Sequence, residues 1–282
     1  MASTHANPPV ALVTAGSAGL GAAASRLFAQ NGYRVAVNYS NNTERAQQLF
    51  DELPGLSSLP GDAANNFALI KADLGSREEI NRLIQETVER LGRLDVLFSN
   101  GGWTRFRGLA SIDDNCHEEE WDRAFNMNVK SHLWLMQTAK KHLDETEGAF
   151  YNHGFVGGCL SQRQLVGMQL HEGSNPTPDA PPPSHALHGS RAYSVTKAAQ
   201  LHLAKALAVM AAPNIRVNSV SPGLLITDWA GIYTDEQKEA HRQGTKLKRI
   251  VTVEDVAEQV LTFARSKSTT GVNIVMDAGF NL

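Results

Sequence analysis

A short apolar run, Val10-Ala11-Leu12-Val13, leads straight into the turn Thr14-Ala15-Gly16-Ser17-Ala18-Gly19-Leu20-Gly21, and a helical pattern over residues 22–31 follows, closed by Gly32. Glycine accepts positive φ and close backbone approach, so the strand can reverse at once into a helix whose amino terminus faces the turn. Free N–H groups and the positive end of the helix dipole favour a phosphate at that point. A tight turn without a ligand is the plainer alternative. Strand, glycine turn and helix in this order fix the first βα unit of an open α/β sheet.

The same alternation continues along the chain. Strands are expected at residues 34–39, 68–72, 94–98, 149–152, 215–220 and 272–275, and helices at 43–53, 76–91, 119–143 and 191–211. Ser76 and Glu79 have capping-box spacing. Strands alternating with helices imply an α/β fold, a doubly wound parallel sheet with helices on both faces, whose ligands lie at the carboxyl ends of the strands. With 282 residues, one domain spanning 10–282 is expected, behind a flexible leader of residues 1–9. A stretch of about 157–190, rich in Gly, Pro, Ser and His, breaks the rhythm as a long loop, for which a substrate-shaping role and a tolerated surface insertion both stand.

Charge and cysteine content exclude several classes of partner. The net charge of -3 and pI near 6.4, with no basic stripe on any helix, give no reason to expect nucleic acid. No apolar stretch reaches membrane-spanning length and the first nine residues lack a signal-peptide pattern, so a cytoplasmic protein with a small-molecule substrate is expected. Cys116 and Cys159 make neither a disulfide framework nor a metal cluster, and His153, His171, His185 and His188 lack metal-ligand spacing, so no metal is expected. Trp103, Thr104 and Arg105 follow the fourth strand and either overhang a pocket or pack on the surface.

Tyr193-Ser194-Val195-Thr196-Lys197 carries the chemistry. A tyrosine and a lysine four residues apart share one helix face, and the lysine charge favours the phenolate through which a proton-transferring tyrosine passes. Taken with the glycine turn, Ser99-Asn100-Gly101-Gly102, Asn128 and Ser221-Pro222-Gly223, in this order over nearly the whole chain, the pattern resembles the short-chain dehydrogenase/reductase family. The resemblance implies a Rossmann-type fold, a nicotinamide cofactor and hydride transfer between carbonyl and alcohol. By position, Tyr193 would be the acid/base, Lys197 would hold the nicotinamide ribose and tune Tyr193, and Asn128 would anchor a water relay to the lysine. Thr14, Gly16, Ser17, Gly19, Leu20 and Gly21 would hold the pyrophosphate, Asp73 and Leu74 would border the adenine, and Asn100, Gly101 and Gly102 would line the cofactor. Pro222, Gly223, Leu225 and Thr227 would face the nicotinamide. Relatives of this layout pair through the two long helices, implying a homodimer or homotetramer.

Two departures sharpen the reading. The end of the second strand reads Asn38-Tyr39-Ser40-Asn41-Asn42, without the carboxylate expected for an NAD ribose. NADP(H) is therefore favoured, with Ser40, Asn41 and Asn42 as neutral donors and Arg45 as a nearby charge, although Ala15 replaces the leading glycine of the turn. After the fifth strand, where the resemblance calls for a serine, the chain reads Gly154-Phe155. Ser161 ranks first among replacements, with Cys159, His153 and a backbone amide of residues 154–158 as alternatives. Three function classes follow: an NADP(H)-dependent oxidoreductase, a redox-neutral dehydratase, isomerase or cyclase on the same scaffold, and a dinucleotide-sensing binding protein.

Overall fold

The computed structural model describes residues 7–105, 112–154 and 191–282. Seven strands form one parallel sheet: β1 (Val10–Val13), β2 (Arg34–Tyr39), β3 (Phe67–Lys71), β4 (Val96–Ser99), β5 (Ala149–His153), β6 (Arg216–Pro222) and β7 (Asn273–Met276). Their order is β3-β2-β1-β4-β5-β6-β7, with every neighbouring pair parallel. Runs such as Val-Ala-Leu-Val in β1 are apolar at every position because both faces of a parallel sheet are covered. Strand order reverses between β1 and β4, opening a crevice at their carboxyl ends.

The helices are α1 (Gly19–Gln30), α2 (Thr43–Leu56), the short α3 (Ala63–Asn66), α4 (Arg77–Leu91), α5 (Glu118–Phe125), α6 (Ser131–Thr146), α7 (Arg191–Ala211), α8 (Asp235–Gly244) and α9 (Val253–Arg265). On one face of the sheet, Leu12, Ile70, Leu97 and Phe150 pack with Leu83 of α4, Leu135 of α6 and Leu207 of α7. On the other, Val13, Val37, Phe98 and Tyr151 meet Phe28 of α1, Leu49 of α2 and Val260 of α9. Alternate strand residues feed the two layers, which produces the doubly wound architecture expected from the strand and helix order.

Several local features differ from the sequence expectations. Residues 119–143 do not form one continuous α-helix: α5 and α6 are joined by a π-helical turn, Asn126–Lys130. The wide turn places Asn128, as described below. α2 runs past Leu53 through Pro54, a position in the last turn where the missing N–H removes a single helical bond. Ser76 caps α4 by accepting from the Glu79 backbone N–H, but the Glu79 carboxylate accepts from the Asp73 N–H at 2.8 Å, so the reciprocal half of the capping box is absent. α8 and α9 lie in stretches where no helix is expected from the sequence. α8 opens on a full capping box between Thr234 and Gln237, and α9 opens on Thr252, which accepts from the Asp255 N–H.

Candidate active site

The crevice between β1 and β4 is held by Thr14. Its Oγ1 accepts from the N–H groups of Asn100 (2.9 Å) and Gly101 (3.2 Å), welding the glycine turn to the end of β4. Asn38, buried at the end of β2, accepts from the Ala15 N–H through Oδ1 and donates through Nδ2 to the Ala72 carbonyl. Three strand ends are thereby tied around the turn. Leu74 lies against Gly101, where an added Cβ would come within 2.2 Å of its Cδ1.

The turn has the properties a pyrophosphate requires. α1 begins at Gly19 with Ala18 at the N-cap, so no side chain accepts from its first N–H groups, and its first turn carries no acid. Gly19 has φ +47, and Ala15 takes φ 47 as well, although a methyl group there costs about 1 kcal/mol. Gly21 has no room for a side chain, because a Cβ would lie 2.2 Å from the Ala15 carbonyl oxygen and 2.9 Å from Gly16 Cα. Neither atom can swing aside as a side chain would. Gly21→Ala is expected to destabilise the fold by about 2–3 kcal/mol, read by urea unfolding; a loss below about 0.5 kcal/mol would mean that the turn relaxes freely.

Beside the turn lies a cavity of about 200 Å³ lined by Ser17, Ala18, Gly19, Arg45, Glu52 and Asp228. Arg45 reaches it from α2 and pairs with Asp228 from the segment after β6. The Nε of Arg45 is buried without a hydrogen-bond partner. Ser40 and Asn41 are exposed near this edge, whereas Asn42 uses its Oδ1 to cap α2 on the Arg45 N–H. Thr227 lies over the turn, its Cγ2 2.9 Å from where a Gly19 Cβ would stand. Pro222 ends β6, the Gly223 N–H bonds the Met276 carbonyl at 2.9 Å, and Leu225 bridges to Val251.

Tyr193 and Lys197 project from the first turns of α7, both buried. Lys197 Nζ stands 5.5 Å from the Tyr193 ring centroid. Burial raises the Tyr193 pKa and nearby Tyr233 adds to the rise. Desolvation disfavours the charged phenolate. Tyr193 is therefore a neutral phenol at physiological pH, the form that can give a proton. Burial also draws the Lys197 pKa down to about 7.

Asn128 sits in the π-helical turn and is wholly buried. Its Oδ1 accepts from the Trp103 N–H (2.7 Å), and its Nδ2 donates to the Trp103 carbonyl (2.9 Å) and to Thr196 Oγ1 (3.0 Å). It pins the loop after β4 to the helix bearing Tyr193. A Cβ on Gly102 would stand 3.3 Å from Asn128 Oδ1 and 3.7 Å from Lys197 Nζ, so Gly102, Asn128 and Lys197 meet at one point.

Gln200 and His132 also reach this site and were missed in the sequence. Lys197 Nζ donates to the His153 carbonyl at 2.8 Å and to Gln200 Oε1 at 2.9 Å, and Gln200 Nε2 in turn contacts His132 Nε2. Their signal was spacing: Gln200 lies three residues beyond Lys197 and His132 four beyond Asn128, so each shares a helix face with a residue already singled out. The His153 side chain is held well below its ordinary pKa by burial first and then by the Lys197 charge. Ser161, Phe155, Cys159, His171, His185 and His188 lie outside the described residues. Arg105 does not stand free over a pocket but pairs with the buried Glu120 at 2.9 Å. Among the described residues there is no group of three or more potential metal ligands, and no helix long and apolar enough to cross a membrane.

A sheet whose strand order reverses at a glycine turn, with a buried tyrosine–lysine pair at the same edge, defines a doubly wound nucleotide-binding enzyme equipped for proton transfer. Residues 9–150 match the family model for short chain dehydrogenase, and residues 183–281 match that for enoyl-(acyl carrier protein) reductase. The chain belongs to the short-chain dehydrogenase/reductase family. Among its relatives, the 3-oxoacyl-(acyl-carrier-protein) reductase of Staphylococcus aureus is 30% identical over 273 residues, covering 95% of this chain and 96% of the relative. A Streptomyces violaceoruber protein named "Granaticin polyketide synthase putative ketoacyl reductase 2" is 30% identical over 284 aligned residues, covering 100% of both. In structure, the chain resembles a short chain dehydrogenase from Burkholderia cenocepacia in complex with NADP, with TM-score 0.78 and 27% identity, covering 98% of this chain and 99% of the other.

Proposed function

We propose that the protein is an NADP(H)-dependent oxidoreductase that reduces a ketone to an alcohol, with a 3-oxoacyl thioester or a bulky secondary-metabolite ketone as substrate. The observation that carries this reading is the neutral, buried Tyr193 beside Lys197 at the carboxyl edge of the sheet. When bound, a nicotinamide would supply the hydride that the carbonyl carbon takes up. Tyr193 gives its phenolic proton to the carbonyl oxygen, and Lys197 holds the ribose and stabilises the phenolate left behind. Asn128 keeps the π-helical turn and the loop after β4 in register with α7. Thr14, Gly16, Ser17, Gly19, Leu20 and Gly21 cradle the pyrophosphate, Asp73 and Leu74 border the adenine, and Asn100 to Gly102 with Pro222 to Thr227 line the nicotinamide end.

Arg45 reads the 2′-phosphate, supported by its unpartnered Nε and by the absence of a carboxylate at the end of β2. Arg45→Ala is expected to weaken NADPH binding about tenfold, equal to about 1.4 kcal/mol, while leaving NADH unaffected. Fluorescence titration of both cofactors checks this; equal losses for the two would remove Arg45 from the reading. The protein acts in the cytoplasm as a homodimer or homotetramer joined through α6 and α7, which leave Leu133, Val195 and Met210 exposed.

The activity is tested by following NADPH absorbance with 3-oxoacyl thioesters and polycyclic ketones. Oxidation dependent on one of these supports the reading, and binding of NADPH without turnover of any carbonyl opposes it. A redox-neutral reaction is the second reading, favoured by Gly154-Phe155 where relatives use a serine hydroxyl to hold the reacting oxygen.

A further inference from the structure

The roles given to Tyr193 and Lys197 leave Ser99, His132, Asn152 and Gln200 unused, all of them wholly or almost wholly buried. Three of these form a continuous chain that ends on the lysine. An ammonium can only donate, so Gln200 turns Oε1 toward Lys197 and its Nε2 amide toward His132 Nε2, 2.9 Å away. The amide nitrogen can only donate as well. His132 Nε2 must therefore accept, the imidazole proton must reside on Nδ1, and Nδ1 donates to Ser99 Oγ at 2.6 Å. Asn152 stands between Ser99 and Ser219 in the sheet register, and neither of its amide atoms has a partner.

We propose that Gln200 and His132 are positioning residues for the reductase site, bracing the Lys197 side chain and stabilising its charged form. The Asn128 side chain makes its hydrogen bonds to Trp103 and Thr196 rather than to Lys197. The inference rests on reading Lys197 as the residue that serves the ribose and Tyr193. Charged and titratable groups around the ammonium are Tyr193 on its own helix, His132 from α6 and His153 from β5, none of which is a carboxylate. His132 is held near 3 by burial first and then by the Lys197 charge, so it stays a neutral link and adds no competing cation. The stabilisation of the buried ammonium thus falls to two oxygen acceptors, the His153 carbonyl and Gln200 Oε1. One of these can be removed by substitution.

The test uses the full, ligand-free chain. Heteronuclear NMR of the imidazole nitrogens, with the His132 signals identified from their loss in His132→Asn, should find the Nδ1–H tautomer. An Nε2–H tautomer would overturn the proposal, since Gln200 would then have to present its amide nitrogen to Lys197. The titration of Lys197, followed at its ε-carbon and identified with Lys197→Arg, supplies the second readout. Gln200→Leu should lower the Lys197 midpoint by about one pH unit, a tenfold loss of proton affinity, and Gln200→Glu should raise it. Midpoints that stay put in both variants, or move in the same direction, would mean that the contact is only structural and would overturn the proposal. If neither variant folds, the wild-type tautomer decides. A wild-type protein with the expected tautomer and midpoints that oxidises no NADPH would refute the reductase reading alone, and an active one with unmoved midpoints would refute the brace alone.

Discussion

Tyr193→Phe is expected to lower turnover about 10³-fold while leaving NADPH affinity unchanged, because general acid catalysis contributes 10²–10⁴ and the substitution removes only the proton donor. The phenylalanine ring keeps the buried packing at a position only 7% exposed, so α7 and Lys197 hold their places. The lost interaction is made in the transition state, so kcat and kcat/KM should fall together and KM should stay near its wild-type value. Steady-state kinetics with cofactor titration by fluorescence measures both quantities. A variant retaining more than about a tenth of wild-type turnover would assign the proton to another group.

Lys197→Met carries the second large effect, and it shows in stability as well as activity. The folded-state pKa is drawn down to about 7 from the ordinary value of 10.5, with burial as the cause. Below pH 7 the lysine is charged in both folded and unfolded chains, and the cost of burying it is constant. Between pH 7 and 10.5 the unfolded chain holds the proton and the folded chain does not, so wild-type stability rises with pH by about 1.4 kcal/mol per unit. Methionine fills similar volume and does not titrate. Urea unfolding at a series of pH values should show wild type gaining on the variant across this window and running parallel to it below pH 7. A difference that stays flat throughout would show that Lys197 is not held in the desolvated setting described. Turnover should fall at least as far as in Tyr193→Phe, because ribose contact and phenolate stabilisation are lost together; in the absolute stabilities, the unpaired His153 carbonyl and Gln200 Oε1 offset part of the variant's relief.

Much of this architecture was legible because it rests on local signals. Val10–Val13 is buried on both sides and reads as a continuous apolar run, and the turn after it needs glycine at Gly21 for a steric reason that composition records. The pair Tyr193 and Lys197 is visible because helical periodicity alone brings the two side chains together. The π-helical turn at Asn126–Lys130 was not legible, since a single turn is too short for its pattern to separate π-helical from α-helical winding, and the Asn128 bonds to Trp103 that accompany it cross the fold. The Glu79 carboxylate was drawn from its expected capping partner by the Asp73 N–H, a contact that exists only once β3 and α4 are placed. α8 lacks a buried face, so no apolar periodicity announces it, although its capping box does. The Arg45 pairing with Asp228 and the link from Gln200 to His132 join residues far apart in the chain, and only the sheet order brings them together.

The most direct test of reductase activity follows the hydride itself. NADPH carrying deuterium on the transferable position of nicotinamide carbon four is incubated with the protein and a 3-oxoacyl thioester or polycyclic ketone, and the product is analysed by mass spectrometry. The expected product is an alcohol one mass unit heavier than its unlabelled counterpart, bearing deuterium on the former carbonyl carbon and formed about 10³-fold more slowly with Tyr193→Phe. An unlabelled isomer or dehydration product, formed while the cofactor keeps its deuterium, would contradict it and identify a redox-neutral enzyme.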